Sequence, residues 1–272
     1  MKKDLKEHFE PLLTLAFCLL AYVPTFLWMK VRWLARDSYY SHGFLIPFIV
    51  GWLIWRKRDE LLKLPPSSHP LGIPLIITGL LIHILSSVLR VYFTSGFSFL
   101  LTIIGIILHF YGLNILKKIS FPVFFLVFMI PLPEVVVVNI SFRMKMFAAA
   151  ISANIIKGIG IFAIREGSVI RMPHAYVVVD DVCSGLRSLI SLTALGSIFA
   201  YLFKAPMWKR IILFLSTIPI AIITNVIRVV FLAFVAEVWG HEAATGFVHD
   251  FSGYAIFAMA FLLLLLTAKI LE

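Results

Sequence analysis

Three polar side chains stand in or beside long apolar stretches of this 272-residue sequence, namely Cys183, Arg228 and His249. A cysteine at the start of a helix gains thiolate character from the helix dipole and from a nearby cation. A histidine beside such a cysteine can transfer protons near neutral pH. An arginine inside a spanning helix is costly and usually faces the protein interior. The three groups together predict attack on a carbonyl followed by protonation of the leaving group.

Taken singly, each of these residues also has a plainer interpretation. Arg228 could extend its guanidinium to the membrane surface, and His249 with Asp250 could cap the last helix, because Asp is favoured at helix N-termini. The second cysteine, Cys18, lies in an apolar block and is expected to be a small apolar filler. Cys18 and Cys183 make a poor disulfide pair, so we expect free thiols. Only the predicted convergence of the three residues favours the chemical interpretation.

The composition predicts an all-α integral membrane protein. Hydrophobic residues make up 61% of the chain and charged residues 14%, against about 45–50% and about 25% in soluble domains. The apolar residues form blocks of about 18 or more, long enough to cross a bilayer core of about 30 Å. The formal net charge is +10. Its Lys and Arg residues cluster in short loops between apolar blocks, which indicates topology signals and no nucleic-acid partner.

We predict a single polytopic membrane domain over residues 1–272, with about eight transmembrane helices. The predicted spans are 11–29, 43–55, 71–91, 96–116, 119–138, 185–203, 211–236 and 251–270. The fifth is interrupted by Pro131 and Pro133.

Two segments do not fit this pattern of spans. Charged residues punctuate 139–164, which predicts an amphipathic or re-entrant segment. β-branched runs surround Met172-Pro173-His174 within 165–182, which predicts a short extracytoplasmic β-hairpin-like loop. A full span at 139–164 would break the topological parity of everything after it.

Basic clusters predict the orientation of the chain. The N-terminal lysines and the basic residues in 56–63, 117–118 and 204–210 should be cytoplasmic by the positive-inside rule. The chain is then a multi-pass protein of the bacterial plasma (inner) membrane, with cytoplasmic N- and C-termini. Cys183 and His249 fall on the outer side. Arg228 lies about 25 Å above the cytoplasmic start of its helix, at 1.5 Å per residue. The three residues are therefore predicted to meet near the outer surface.

The sequence resembles the exosortase/archaeosortase family, most closely the bacterial exosortase branch. Five elements carry the resemblance, in the order and spacing of that family, and they span about 37–255. They are the Ser-His-Gly element at Tyr40–Phe44 with Pro47, the Phe-Pro to Pro-Leu-Pro stretch at 121–133, the Cys-Ser-Gly-Leu-Arg-Ser run at Cys183–Ser188, the Asn-x-x-Arg helix at Asn225–Arg228, and the His-Asp pair at His249–Asp250.

The resemblance implies a membrane cysteine protease and transpeptidase. Such enzymes are thought to recognise exported proteins with a C-terminal sorting signal, composed of a short motif (Pro-Glu-Pro in bacteria), a spanning helix and a basic tail. They cleave at the motif and pass the product to a surface or exopolysaccharide acceptor. The implied catalytic residues are Cys183 as nucleophile, Arg228 for thiolate or oxyanion stabilisation, and His249 as general acid/base. Family members often carry a soluble C-terminal extension, which this sequence is not expected to have.

Five further residues are predicted to support the site. Arg187 lies one turn after Cys183 and is a candidate to bind a substrate carboxylate. Asn225 precedes Arg228 by three residues and could orient it. Asp250 could orient His249. Ser41 and His42 lie on a predicted outer loop and could line the access path for substrate.

Two other functions remain open on the sequence alone. A hydrolytic intramembrane cysteine protease would use the same thiol with water in place of the acceptor. An anion transporter or channel would use Arg228 as its binding site, although repeated halves with broken helices are not found.

No metal site is predicted, because the histidines show no ligand spacing, and no cofactor motif is present. The predicted partners are membrane lipid, exported proteins with sorting signals and an acceptor.

Overall fold

The computed structural model describes residues 2–36 and 38–272. The chain divides into two compact units, one ending at Leu132 and the other beginning at Pro133. Helices dominate both units, and the strands found among the described residues all lie in the second unit. The predicted class, a helical protein with several membrane-crossing helices, agrees with this architecture.

The first unit is built from helices alone within the described residues. They are α1 (Lys2–Ala21), α2 (Val23–Trp33), α3 (Ile46–Arg56), α4 (Arg58–Leu61), α5 (Gly72–Val88), α6 (Tyr92–Phe110), α7 (Gly112–Lys118) and α8 (Ser120–Phe125). The predicted span 11–29 is bent by 60° between α1 and α2. Pro24 stands in the first turn of α2, where a missing N–H costs no helical hydrogen bond. The bend therefore falls where the sequence allows a new helix to begin.

A buried polar chain stabilises this bend. The His83 Nε2–H donates to the Ala21 carbonyl over 3.0 Å, so the Nδ1 atom of His83 accepts from the Ser95 hydroxyl at 2.7 Å. Ser95 in turn is hydrogen-bonded to Thr25 at 2.5 Å. A carbonyl exposed at a helix break needs a partner in an apolar environment. The histidine on α5 supplies that partner.

The second unit places a small sheet beside four long helices. Its elements are α9 (Glu134–Gly158), β1 (Ile164–Glu166), β2 (Val169–Arg171), β3 (Tyr176–Val178), α10 (Leu186–Leu202), α11 (Met207–Trp239), α12 (His241–Ala244) and α13 (Phe247–Leu271). The 33-residue α11 packs against α9, α10 and α13. It therefore forms the centre of this unit.

The predicted hairpin in 165–182 is present as β2 and β3. These strands are antiparallel around a turn in which the Met172 N–H donates to the Ala175 carbonyl over 2.8 Å. One further strand, β1, pairs with β2 and completes a three-stranded sheet in the order β1-β2-β3. The buried side chains Ile170, Val177 and Val179 belong to one apolar cluster with residues of α9 and α11. This cluster fixes the sheet next to the cysteine that follows it.

The segment 139–164 differs from its prediction. Residues Glu134–Gly158 form one continuous 25-residue helix, α9, which contradicts a re-entrant segment. The break occurs earlier, because Pro131 and Pro133 cannot continue the preceding helix. The predicted fifth span 119–138 is divided at these prolines, into the helical segment Ser120–Met129 and the start of α9. A separate bend of 67° lies before it, between α7 and Ser120–Met129. The charge of Lys145 is accommodated by Asp181, 2.9 Å away.

The number of spans follows from helix length and apolar composition. Four described segments qualify as candidate spans, and each of the two bent pairs adds one if it is counted as a single span, giving up to six. The four are Tyr92–Phe110, Glu134–Gly158, Met207–Trp239 and His241–Leu271. Three shorter apolar helices, Gly43–Arg56, Gly72–Val88 and Leu186–Leu202, overlap the other predicted spans. A multi-pass membrane protein is supported, and the count of eight stays a prediction.

Candidate active site

Cys183 closes a short 3-10 turn, Asp181–Cys183, immediately before α10. The Cys183 N–H donates to the Asp180 carbonyl over 2.9 Å. Helix α10 begins at Leu186, so the thiol lies just before the helix and not within it. The side chain is buried, with 4% of its surface exposed. The sequence placed Cys183 at this helix start, and the structure agrees.

Gly185 and Asn225 explain why the chain turns here. Gly185 has a φ of +82°, a left-handed backbone conformation that residues other than glycine rarely adopt. A Cβ atom at this position would lie 2.8 Å from the Asn225 Cγ atom. The Asn225 amide donates to the Cys183 carbonyl over 2.9 Å. Asn225 therefore holds the cysteine turn itself; this contact differs from its predicted role of orienting Arg228.

The sulfur of Cys183 lies 2.8 Å from the Nε2 atom of His249. His249 belongs to the first turn of α13, which begins at Phe247, four residues before the predicted start at 251. The histidine side chain is 28% exposed, so it connects the buried sulfur with the surroundings. A thiol and an imidazole at this distance can exchange a proton directly.

Arg228 binds the start of α13 from the middle of α11. Its Nε–H donates to the Ser252 hydroxyl, and an Nη2–H donates to the His249 carbonyl, both over 2.9 Å. The Ser252 hydroxyl also donates to the His249 carbonyl over 2.7 Å. The guanidinium is 7% exposed, and no carboxylate among the described residues lies within ion-pair distance of it. Arg228 thus positions His249 while keeping an unneutralised positive charge near the thiol.

Burial and charge act in opposite directions on the thiol. Burial raises the pKa of Cys183 above its ordinary value, and the positive charge of Arg228 lowers it again. The carboxylate of Asp180 raises the pKa further. Because burial dominates, the resting sulfur is a thiol at neutral pH, and it needs a base to become a nucleophile. His249, whose Nε2 atom contacts the sulfur, is the candidate base.

The turn that carries Cys183 is also attached to α9. The carboxylate of Asp181 accepts from Lys145 at 2.9 Å and from the Ser141 hydroxyl at 3.1 Å. The hydrogen bond and charge of Lys145 lower the pKa of Asp181, so this carboxylate is ionised at neutral pH. Two attachments, one from α9 and one from α11, therefore hold the turn.

The remaining predicted residues occupy different places. Asp250 is 80% exposed, and its carboxylate forms a long hydrogen bond of 3.4 Å with His249 Nδ1. Arg187 is half-buried in the first turn of α10. Ser41 is exposed and His42 half-buried, both in the first unit just before the 3-10 turn Gly43–Leu45. Burial lowers the pKa of His42.

A cavity of about 210 Å³ opens beside the thiol. We call it the thiol cavity; its lining residues are Tyr176, Val177, Val178, Val179, Asp180, Cys183, Val229, Leu232, His241, Ala244, Thr245 and His249. A second cavity of about 300 Å³ lies against Ser184 and Asn225 and is bounded by Arg143 and Phe147 of α9. The sulfur and the imidazole thus share one wall of a small, mostly apolar space.

Two contacts at this site were missed by the sequence interpretation. Ser252 supports Arg228, and its signal was its position three residues after His249 on the same helix. Lys145 and Asp181 form an ion pair across 36 residues of sequence. Nothing in the local sequence indicates such a pair, because it depends on the packing of α9 against the turn.

The chain was compared with known proteins. No match was found among curated proteins or among solved structures. A family model described as transmembrane exosortase matches residues 28–266, which include the cysteine turn, α11 and the start of α13. Because this match covers most of the sequence, the chain belongs to the transmembrane exosortase family.

Proposed function

We propose that this protein is a membrane cysteine transpeptidase that cleaves the C-terminal sorting signal of exported proteins. The contact of 2.8 Å between the Cys183 sulfur and His249 Nε2, beside the buried charge of Arg228, carries the proposal. A structural cysteine in a membrane protein would need neither a base nor a cation next to it. Family membership supports the same chemistry.

The first half of the reaction forms an acyl-enzyme. His249 takes the proton from the Cys183 thiol, and the thiolate attacks the scissile carbonyl carbon. When the tetrahedral intermediate collapses, the C–N bond breaks and the imidazolium gives its proton to the departing amine. The products of this half are a thioester on Cys183 and the released C-terminal helix with its basic tail.

The second half transfers the acyl group. The neutral imidazole of His249 removes a proton from the acceptor amine or hydroxyl, which attacks the thioester carbonyl. Breaking the C–S bond expels the thiolate, which recovers the proton from His249. The enzyme returns to its starting state with one new amide or ester bond formed. With water as the acceptor, the same steps give a carboxylate.

Arg228 acts in this scheme through charge and through position. Its charge favours the thiolate, because an opposite charge nearby lowers a thiol pKa. Two of its N–H groups are engaged by Ser252 and by the His249 carbonyl. Stabilisation of the thiolate and orientation of the imidazole are therefore its proposed roles, ahead of direct binding of the oxyanion.

We place the reaction at the outer face of the plasma membrane. Within the second unit, Cys183 precedes α10, and the basic residues Lys204, Lys209 and Arg210 follow it at the start of α11. These basic residues favour the cytoplasmic side. The cysteine turn, at the other end of α10, then faces outward. The orientation of the second unit therefore does not depend on the total number of spans.

The direct test uses the purified full-length protein in liposomes with a reporter that ends in a Pro-Glu-Pro motif, an apolar helix and a basic tail. We expect the wild type to cleave this reporter and Cys183→Ala to be inactive, whereas Cys18→Ser, the matched control, keeps full activity. Mass spectrometry of the cut end distinguishes the chemistry: a new amide or ester means transfer, and a free carboxylate means hydrolysis. Full activity of Cys183→Ala would exclude both the transpeptidase and the hydrolytic cysteine protease, and would leave the anion-transport alternative.

A further inference from the structure

One edge of the small sheet has no strand beside it among the described residues. The order is β1-β2-β3, so β3 pairs with β2 on one side only. Residues Tyr176–Val178 form this strand and line the thiol cavity along their whole length. An unpaired strand edge offers a row of N–H and C=O groups to any extended chain that reaches it.

The register shows which backbone groups of β3 face outward. The Met172 N–H donates to the Ala175 carbonyl, and the Val179 N–H donates to the Ser168 carbonyl, over 2.8 and 2.9 Å respectively. Hydrogen-bonded pairs alternate along an antiparallel ladder, so Val177 also faces β2. The N–H and C=O groups of Tyr176 and Val178 therefore point to the open edge.

An independent contact confirms this direction. The Nδ1–H of His241, on α12, donates to the Tyr176 carbonyl over 3.0 Å, so this carbonyl is bonded outside the sheet. The ring of His241 also stacks on the Tyr176 ring, with 4.6 Å between centroids. His241 thus closes one end of the open edge. Among the described residues, the N–H and C=O of Val178 have no hydrogen-bond partner.

The open edge leads to the reacting groups. Val178 is followed by Val179 and Asp180 and then by the turn that ends at Cys183. Residues of β3 line the thiol cavity together with Cys183 and His249. Its volume of about 210 Å³ is below the roughly 300–1,000 Å³ of pockets that enclose drug-sized ligands. A short extended backbone suits such a space better than a bulky folded group.

We infer that the peptide segment cleaved by Cys183 binds as an added strand along the outer edge of β3. The inference rests on the proposed function and names its binding mode. One peptide residue exchanges two hydrogen bonds with Val178, donating its N–H and accepting at its C=O. The backbone groups of its two neighbours point away from β3. The segment therefore needs an N–H on the central residue, whereas prolines fit on both sides of it.

The test on the enzyme compares Val178→Pro with Val178→Ala. Proline at an edge position with an outward N–H removes no bond to β2, so Val178→Pro deletes one outward donor, while Val178→Ala keeps it. We measure the binding of a fluorescein-labelled Pro-Glu-Pro peptide to the Cys183→Ala protein by anisotropy, and the KM for the sorting-signal reporter in the active protein. Val178→Pro should weaken peptide binding and raise KM by about tenfold, the scale of one lost hydrogen bond. Val178→Ala keeps the donor and should lose clearly less affinity than Val178→Pro does.

A modified peptide provides a second test of the inference that needs no change in the enzyme. N-methylation of its central Glu should weaken binding as much as Val178→Pro does, because it removes the N–H that pairs with the Val178 carbonyl. The same affinity for the N-methylated and unmodified peptides would overturn the inference even if Val178→Pro failed to fold. Alkylation of the Cys183 thiol by iodoacetamide, measured in the active protein, reports whether Val178→Pro keeps the site intact.

The outcomes separate the inference from the function it rests on. A wild type that leaves the reporter uncleaved refutes the proposed function, and the anisotropy measurement still decides the binding mode. Cleavage with equal KM for the two Val178 variants refutes the binding mode alone. If Val178→Pro changes the mass of the solubilised protein from dimer to monomer without changing peptide affinity, the edge pairs two copies of the chain and the inference is also overturned.

Discussion

At the residue scale, the proposed reactivity of Cys183 depends on a cation and a base that come from two different helices. Burial alone would leave an inert thiol, because it raises the pKa of Cys183. The charge of Arg228, on α11, opposes that effect, and His249, on α13, is the proposed acceptor of the thiol proton. Neither helix contains the cysteine, so the nucleophile becomes competent only when both helices are packed around it.

Replacing Arg228 by Gln should shift the pH dependence of the thiol. Loss of the positive charge raises the pKa of Cys183 further, so the midpoint of iodoacetamide alkylation moves to higher pH. Below that midpoint, each unit of pKa lowers the thiolate fraction roughly tenfold. The expected sign is therefore slower alkylation at neutral pH, with the difference disappearing at strongly alkaline pH.

Arg228→Lys is the control for this measurement. It keeps the charge but loses the geometry that binds Ser252 and the His249 carbonyl together. We expect its alkylation midpoint to stay near that of the wild type, while reporter cleavage still falls because His249 is less well oriented. Equal midpoints for the Gln variant and the wild type would show that the charge of Arg228 does not act on the thiol.

At the scale of elements, the cysteine turn depends on helices on both of its sides. Asp181 attaches it to α9, and the Asn225 amide attaches it to α11. The left-handed Gly185 lets the chain turn into α10 without colliding with Asn225. A change at any of these contacts should move the sulfur relative to His249 without altering either reacting group.

Gly185→Ala should lower reporter cleavage by more than its backbone strain alone would cause. The new Cβ would lie 2.8 Å from Asn225, so the amide must leave the Cys183 carbonyl. Gly160→Ala is the matched control, because Gly160 has a φ of +92° and nothing within 4 Å of an added Cβ. We expect a comparable strain of about 1–3 kcal/mol in both, but a loss of reporter cleavage only in Gly185→Ala. Equal activity of the two variants would contradict the collision.

The ion pair between Lys145 and Asp181 should contribute modestly to holding the cysteine turn in place. The Asp181 side chain is 53% exposed, and exposed pairs contribute about 0.2–1 kcal/mol. Lys145→Met, Asp181→Asn and the double variant form a thermodynamic cycle, read out as the rate of reporter cleavage. We expect a coupling of about fivefold or less, in line with that range. If the effects of the two single variants on the logarithm of the rate simply add in the double variant, the pair does not position the turn.

The sequence predicted the part of this architecture that depends on local pattern. The apolar blocks, the hairpin around Met172–His174 and the placement of Cys183 before a helix all follow from short-range rules. The continuity of α9 does not follow from local pattern. The partner of Lys145 lies 36 residues away, so the charge of Lys145 was interpreted as the sign of an interrupted helix. The bend at Tyr22 was also missed, since the histidine that stabilises it comes from α5.

At the scale of the whole molecule, the orientation of the second unit decides which compartment supplies the substrates. We expect the loop after α11 to face outward and the loop before it to face the cytoplasm. Exposed single cysteines at Glu242→Cys and Lys204→Cys, in a background without Cys18 and Cys183, test this directly. A membrane-impermeant maleimide should label position 242 in intact spheroplasts and position 204 only after permeabilisation. The reverse pattern would place the site in the cytoplasm.

The low exposure of the Cys183 sulfur has a consequence for the redox state of the protein. Outside the cytoplasm, thiols are readily converted to disulfides and sulfenic acids. Because only 4% of Cys183 is exposed, the cysteine of a disulfide-exchanging protein has little access to this sulfur, whereas small reagents can reach it through the thiol cavity. On the proposed outer side of the membrane, this enclosure would slow disulfide formation with other proteins and so keep the proposed nucleophile reduced.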